Sequence, residues 1–141
     1  MQRKLIQISH ASAAGEGGPW GALIVEGGIF FSGFLADFLA REGAQVAHAS
    51  SAQEAIATAR QMQPELILVD AELKGFSGLD LLPELFMELP WATVIVLSSR
   101  PNFSEAAQAI RLGAADYMAR PLNFEKLGAL IRAQRRLSTT I

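Results

Sequence analysis

Pro64-Glu65-Leu66-Ile67-Leu68-Val69-Asp70 holds an unbroken apolar run, Leu66 to Val69, that follows Pro64-Glu65 and closes on an acid. A strand with one wet face alternates apolar and polar residues. A strand buried on both faces reads as a continuous apolar run. Leu23-Ile24-Val25 and Val94-Ile95-Val96-Leu97 read the same way. Weaker strand signals lie at residues 45–49 and 116–118. With 22–25, 65–69 and 93–97 they predict five strands, starting at 22, 45, 65, 93 and 116. The intervals are 23, 20, 28 and 23 residues. Each leaves room for a strand, a helix of about three turns and two loops.

The intervening segments carry helical spacing. Phe30, Phe31, Phe34, Leu35, Phe38 and Leu39 form a stripe expected to pack into the core. Ala55, Ile56, Ala59 and Met62 form the next one, opened by Ser51 and Glu54 at capping-box spacing. Leu81, Leu82, Leu85, Phe86 and Leu89 mark a third helix. Pro83 predicts that it is kinked or starts late. Residues 104–112 predict a fourth, closed by Gly113, and Asn123 caps a fifth. Strands alternating with helices predict a doubly wound α/β domain, a parallel sheet with both faces covered.

Composition agrees with one domain. The chain has 141 residues, half of them apolar and 18% charged, enough for one core and too apolar for general disorder. The absence of cysteine excludes disulfide scaffolds, thiolate metal sites and cysteine nucleophiles. No apolar run approaches the ~20 residues of a membrane span. A net charge of −2 argues against a surface built to grip nucleic acid. Residues 120–136 nevertheless hold five cations against Glu125 alone, expected as a solvated basic helix face. Residues 1–20 read as a flexible leader, residues 21–137 as the folded domain and 138–141 as a tail. Arg3 and Lys4 precede an apolar run too broken for a signal peptide. His10 in the leader has no metal partner in the pattern.

Ligands of open parallel sheets bind beyond the carboxyl ends of the strands. The residues there are Glu26, Asp70, Ser98, Ser99 and Arg120, the last followed by Pro121. On adjacent strands they place two carboxylates, a hydroxyl and a guanidinium in one crevice.

The stretch from Ala22 to about Arg136 resembles the receiver domain of bacterial two-component response regulators. The resemblance rests on Leu23-Ile24-Val25-Glu26, on residues 64–70, on Gly75-Phe76-Ser77-Gly78-Leu79, on residues 94–99 and on residues 112–121. It implies a flavodoxin-like (βα)5 three-layer sandwich with strand order 2-1-3-4-5. It also implies a cytoplasmic phosphorelay protein. A histidine kinase or phosphotransfer protein would pass a phosphoryl group to Asp70. Catalysis would be little more than this domain's own phosphorylation and dephosphorylation. An anionic carboxylate then meets an anionic phosphoryl group, so positioning and charge compensation do the work. The implied ligands of Mg2+ are Glu26, Asp70 and the backbone carbonyl of Glu72. Ser98 and Arg120 would hold phosphoryl oxygens, and the bond before Pro121 would be cis. Ser98 and Tyr117 would relay the change to the face of the fourth helix, fifth strand and fifth helix, where a downstream protein, an output domain or a second copy binds. Neither a membrane nor direct nucleic-acid contact is implied.

Three positions depart from the family pattern. Gly27 stands where a second acid is usual, which weakens Mg2+ binding. Arg120 stands for a lysine, and its fork can pair with Asp70 or Glu26. Lys74 stands for a proline and either adds a cation or points to solvent. Glu72 and Arg100 are expected to pair across the mouth. These departures support an alternative, a degenerate receiver that binds protein without phosphorylation. A flavin or hydrolase site on the same architecture lacks its signature, because residues 26–30 form no Ser/Thr-rich cradle and Gly75-Phe76-Ser77-Gly78 is no nucleophile elbow.

Overall fold

The computed structural model describes residues 19–27 and 33–139. The apolar runs become the strands β1 (Trp20–Val25), β2 (Ala44–Ala49) and β3 (Leu66–Asp70). A short hairpin, β4 (Glu72–Leu73) and β5 (Phe76–Ser77), follows Asp70. Then come β6 (Thr93–Ser98) and β7 (Asp116–Ala119). The helices are α1 (Gly33–Arg41), α2 (Ala52–Met62), α3 (Leu82–Glu88), α4 (Phe103–Arg111) and α5 (Phe124–Thr139). The main sheet has the order β2-β1-β3-β6-β7, and all its neighbours are parallel. With the hairpin set aside this is the expected order.

Strand alternation divides the sheet between two cores. Leu23, Val25, Ile67, Val69, Val94 and Val96 face α2, α3 and α4. Ile24, Leu68, Ile95 and Leu97 face α1 and α5, against Leu35, Leu39, Leu127 and Ile131. Burial on both faces is why residues 22–25, 66–69 and 94–97 carry no polar side chain. Truncating one such side chain, Leu68→Ala for example, costs about 2–5 kcal/mol.

Local sequence sets the helix starts. Ser51 Oγ accepts from Glu54 N at 3.1 Å, and the Glu54 carboxylate reaches back to the Ser50 amide at 2.9 Å. Asn102 and Asn123 cap α4 and α5 by accepting from Glu105 N and Lys126 N. Pro83 lies in the first turn of α3, where no donor is needed, behind a 3-10 turn over Gly78–Leu81. The late start is therefore the observed outcome. Gly113 follows α4 with φ 111°, and a Cβ there would stand 2.9 Å from the Phe86 ring.

Three expectations change. Phe34 is 79% exposed and does not belong to the core; Leu35 and Leu39 supply the buried face of α1. Phe38 is partly buried against Phe124, with ring centroids 5.1 Å apart. Trp20, assigned to the leader, opens β1 and is 3% exposed. Phe30, Phe31 and residues 1–18 of the leader lie outside the described residues. The basic face of α5 is not simply solvated. Arg132 pairs with Glu42 at 3.0 Å, and Arg135 lies over the Trp20 ring at 5.1 Å.

Candidate functional site

Parallel pairing brings the ends of β1, β3, β6 and β7 to one edge. Glu26 follows β1, Asp70 ends β3, Ser98 ends β6 and Arg120 follows β7. Backbone bonds lock the rim: Ala71 N donates to Leu97 O at 2.7 Å and Arg120 N to Ser98 O at 2.9 Å. The Arg120–Pro121 bond is cis. Gly78 packs against the end of β3 so closely that a Cβ there would overlap the Asp70 carbonyl oxygen.

The guanidinium of Arg120 enters the crevice. It donates to Glu26 Oε2 at 2.6 Å and to Asp70 Oδ2 at 3.4 Å. Glu26 is 2% exposed, and this cation helps to make a carboxylate tolerable there. Asp70 keeps about 13% of its side chain exposed, and its Oδ1 is buried without a hydrogen-bond partner. Burial pushes the Asp70 carboxyl up to about 6, against the opposing pull of Arg120. Glu72 and Glu26 push it further the same way, and the Glu72 backbone N–H favours the charged form.

Other predicted residues fall differently. Glu72 does not pair with Arg100. Its carboxylate accepts from the Ser98 hydroxyl at 3.0 Å and from the Ser99 amide at 3.1 Å. Lys74 is exposed, the solvent-facing outcome. Two residues were not legible as site members. His48 on β2 places Nε2 3.9 Å from Glu26 Oε1, because β2 pairs directly with β1. Glu105 on α4 accepts from both Ser98 Oγ and Tyr117 Oη, at 2.9 and 2.5 Å. Its only sequence signal is its place three residues after a capping Asn102.

The residues present do not fit a divalent cation. Among the described residues no three His, Cys, Asp or Glu side chains are grouped to hold one. Arg120 already occupies the space between the two carboxylates. A Cβ on Gly27 would lie 3.1 Å from Lys74 N and 3.3 Å from the Leu73 side chain, so the missing acid is not easily restored.

The fold and this crevice define a doubly wound α/β domain with an aspartate presented at the sheet's carboxyl edge. The family model of the response regulator receiver domain matches residues 22–132. The two-component response regulator PhoP of Pseudomonas aeruginosa is 31% identical over 117 residues, 83% of this chain and 52% of that protein. The acid tolerance regulatory protein ActR of Sinorhizobium medicae is 35% identical over 127 residues, 89% of this chain and 66% of that one. A response regulator of Burkholderia pseudomallei, solved with a phosphorylated aspartic acid, a calcium ion and citrate, superposes with a TM-score of 0.72 at 31% identity. That match covers 85% of this chain and 75% of the solved one. A two-component response regulator from Clostridium difficile shares the fold with a TM-score of 0.78 at 23% identity, over 85% and 98% of the two chains. The chain belongs to the response regulator receiver domain family. It spans about half the length of PhoP and about two-thirds of ActR.

Proposed function

We propose that Asp70 is the phosphoacceptor of this receiver. A carboxylate oxygen of Asp70 attacks phosphorus, and the bond to the donor nitrogen of a kinase or phosphotransfer-protein histidine breaks. The electron pair returns to the imidazole, and Asp70 becomes an acyl phosphate. The observation that carries this reading is Asp70 itself, a partly exposed carboxylate at the end of β3 with the Arg120 guanidinium 3.4 Å away. Arg120 supplies the charge compensation, because its fork suits phosphoryl oxygens. Ser98 supplies a hydroxyl at the same edge. The domain is no conventional enzyme; its chemistry is its own phosphorylation and dephosphorylation.

The readout face is α4, β7 and α5. Phe103 and Ile110 lie seven residues apart on α4, so they share a helix face, and they are 91% and 51% exposed. An apolar stripe of this kind suits a downstream protein, a linked output domain or a second copy, and not nucleic acid. Among the described residues no helix is long and apolar enough to cross a membrane. We place the protein in a bacterial cytoplasm, the setting of a kinase-fed phosphorelay. The alternative of a phosphorylation-independent binding module draws support from Gly27 and Arg120. It has against it the likeness to a structure that carries a phosphorylated aspartic acid.

Incubation with phosphoramidate, with and without Mg2+, is expected to add the mass of one phosphate, and Asp70→Asn to abolish the gain. No mass gain under saturating donor overturns the reading in favour of the binding module.

A further inference from the structure

Ser98 Oγ stands between two carboxylates. Glu72 Oε2 lies 3.0 Å away and Glu105 Oε1 2.9 Å away. A hydroxyl has one proton to give, so the two acceptors compete for it. Ser98 is fully buried, and its oxygen also accepts from the Arg100 amide at 3.2 Å. Glu72 has a second donor in the Ser99 amide. Glu105 has a second donor in the Tyr117 hydroxyl, and the same Oε1 receives both hydroxyls. The start of α4 holds this arrangement in place. Asn102 Oδ1 accepts from Glu105 N at 2.8 Å, and Asn102 N donates to Tyr117 Oη at 3.2 Å.

We infer that Glu105 is a positioning residue of this receiver: one carboxylate oxygen aims the hydroxyls of both Ser98 and Tyr117, and Ser98 turns to a phosphoryl group on Asp70 only by leaving it. The last clause rests on Asp70 being the phosphoacceptor; the first does not. A phosphoryl group adds a third and more highly charged acceptor for the Ser98 proton. Once Ser98 turns away, Glu105 keeps Tyr117 as its sole hydroxyl donor, and that bond strengthens. The state of Asp70 is thereby written into the tie between β7 and α4, the face that carries Phe103 and Ile110.

Tyr117 is the only tyrosine in the chain, so tyrosinate absorbance reports it alone. Burial raises its pKa first, and the Glu105 bond raises it next. The Ser98 hydroxyl and the Asn102 amide pull it down. Glu105→Gln keeps the shape and removes the charge, so the Tyr117 titration should move to lower pH. Ser98→Ala removes the competing donor, so it should move to higher pH. Simple loosening of the fold would move both downwards, towards an ordinary tyrosine. Shifts in the same direction, or no shift in either variant, overturn the inference. If Glu105→Gln fails to fold by circular dichroism, Glu105→Asp shortens the reach by one methylene and should also lower the titration. The second clause is read from initial rates with phosphoramidate. Glu105→Gln should be phosphorylated roughly three- to tenfold faster than the parent chain, since Ser98 is released from a charged acceptor. An equal or slower rate overturns that clause. A parent chain that gains no phosphate mass overturns the Asp70 reading instead, while the tyrosine titration still decides the role of Glu105.

Discussion

The Arg120 guanidinium donates to Glu26 Oε2 at 2.6 Å, a bond that joins positions 94 residues apart. It is shorter than the contact to Asp70 in the same crevice, and it is made to the more buried of the two carboxylates. A buried ion pair adds little net stability, because desolvating both charges offsets most of their attraction. Removing one partner is another matter. Arg120→Ala takes the guanidinium away from the enclosed Glu26, and should cost about 3–5 kcal/mol of unfolding free energy. Adding Glu26→Gln should recover much of the loss. Urea midpoints of the single and double variants measure both; an additive double variant would show that the two residues are not coupled.

The same bond governs cations. While one guanidinium nitrogen of Arg120 bonds both Glu26 and Asp70, neither carboxylate is at liberty to bind a divalent ion. Lysine offers a point charge on a flexible stem. Arg120→Lys should therefore bind Mn2+ about tenfold more tightly than the parent chain, a size typical of altered surroundings at a metal site. Electron paramagnetic resonance of free Mn2+ follows this directly. Unchanged, tight binding in both chains would mean that Arg120 does not limit access.

Asp70 makes stability depend on pH with an unusual sign. Burial pushes its folded carboxyl up to about 6, above the ordinary 3.8. Between those values the folded state binds more protons than the unfolded chain, so this residue's contribution to stability falls as pH rises. Asp70→Asn should flatten the change in denaturation midpoint across that window. The rate of Asp70 phosphorylation should rise through about pH 6 as the nucleophile ionises. A rate that climbs only near the ordinary carboxylate range would show that burial does not perturb the nucleophile.

Gly78 is a packing requirement at the end of β3. A Cβ would overlap the Asp70 carbonyl oxygen and meet Val69 Cγ1 at 2.9 Å. Gly78→Ala must push the hairpin or the end of β3 aside, at about 1–3 kcal/mol or more. Thermal unfolding measures that cost, and phosphorylation at Asp70 should slow with it. A variant as stable and as reactive as the parent would show that the loop yields without strain.

The architecture was legible because it is written in local pattern. Leu66-Ile67-Leu68-Val69 and Val94-Ile95-Val96-Leu97 admit no wet face, Ser51 and Asn123 announce helix starts, and Pro83 forces a late one. Asp70 and Arg120 were legible as well, since strand ends in a parallel sheet converge on one edge. Directions of side chains were not legible. Phe34 belongs to an apolar stripe by spacing, yet only one side of α1 meets the sheet, and Leu35 and Leu39 fill it.

Periodicity and end residues thus determined the fold class and set Asp70 and Arg120 at one edge of the sheet. Tertiary structure alone decided that Arg120 chooses Glu26, that Glu72 turns to Ser98 and not to Arg100, that His48 stands beside Glu26, and that Glu105 ties Ser98 to Tyr117. Each of those outcomes is a competition among several charged or polar partners for one site. Burial and distance settle such a competition, and neither exists until residues far apart in the chain have been brought together.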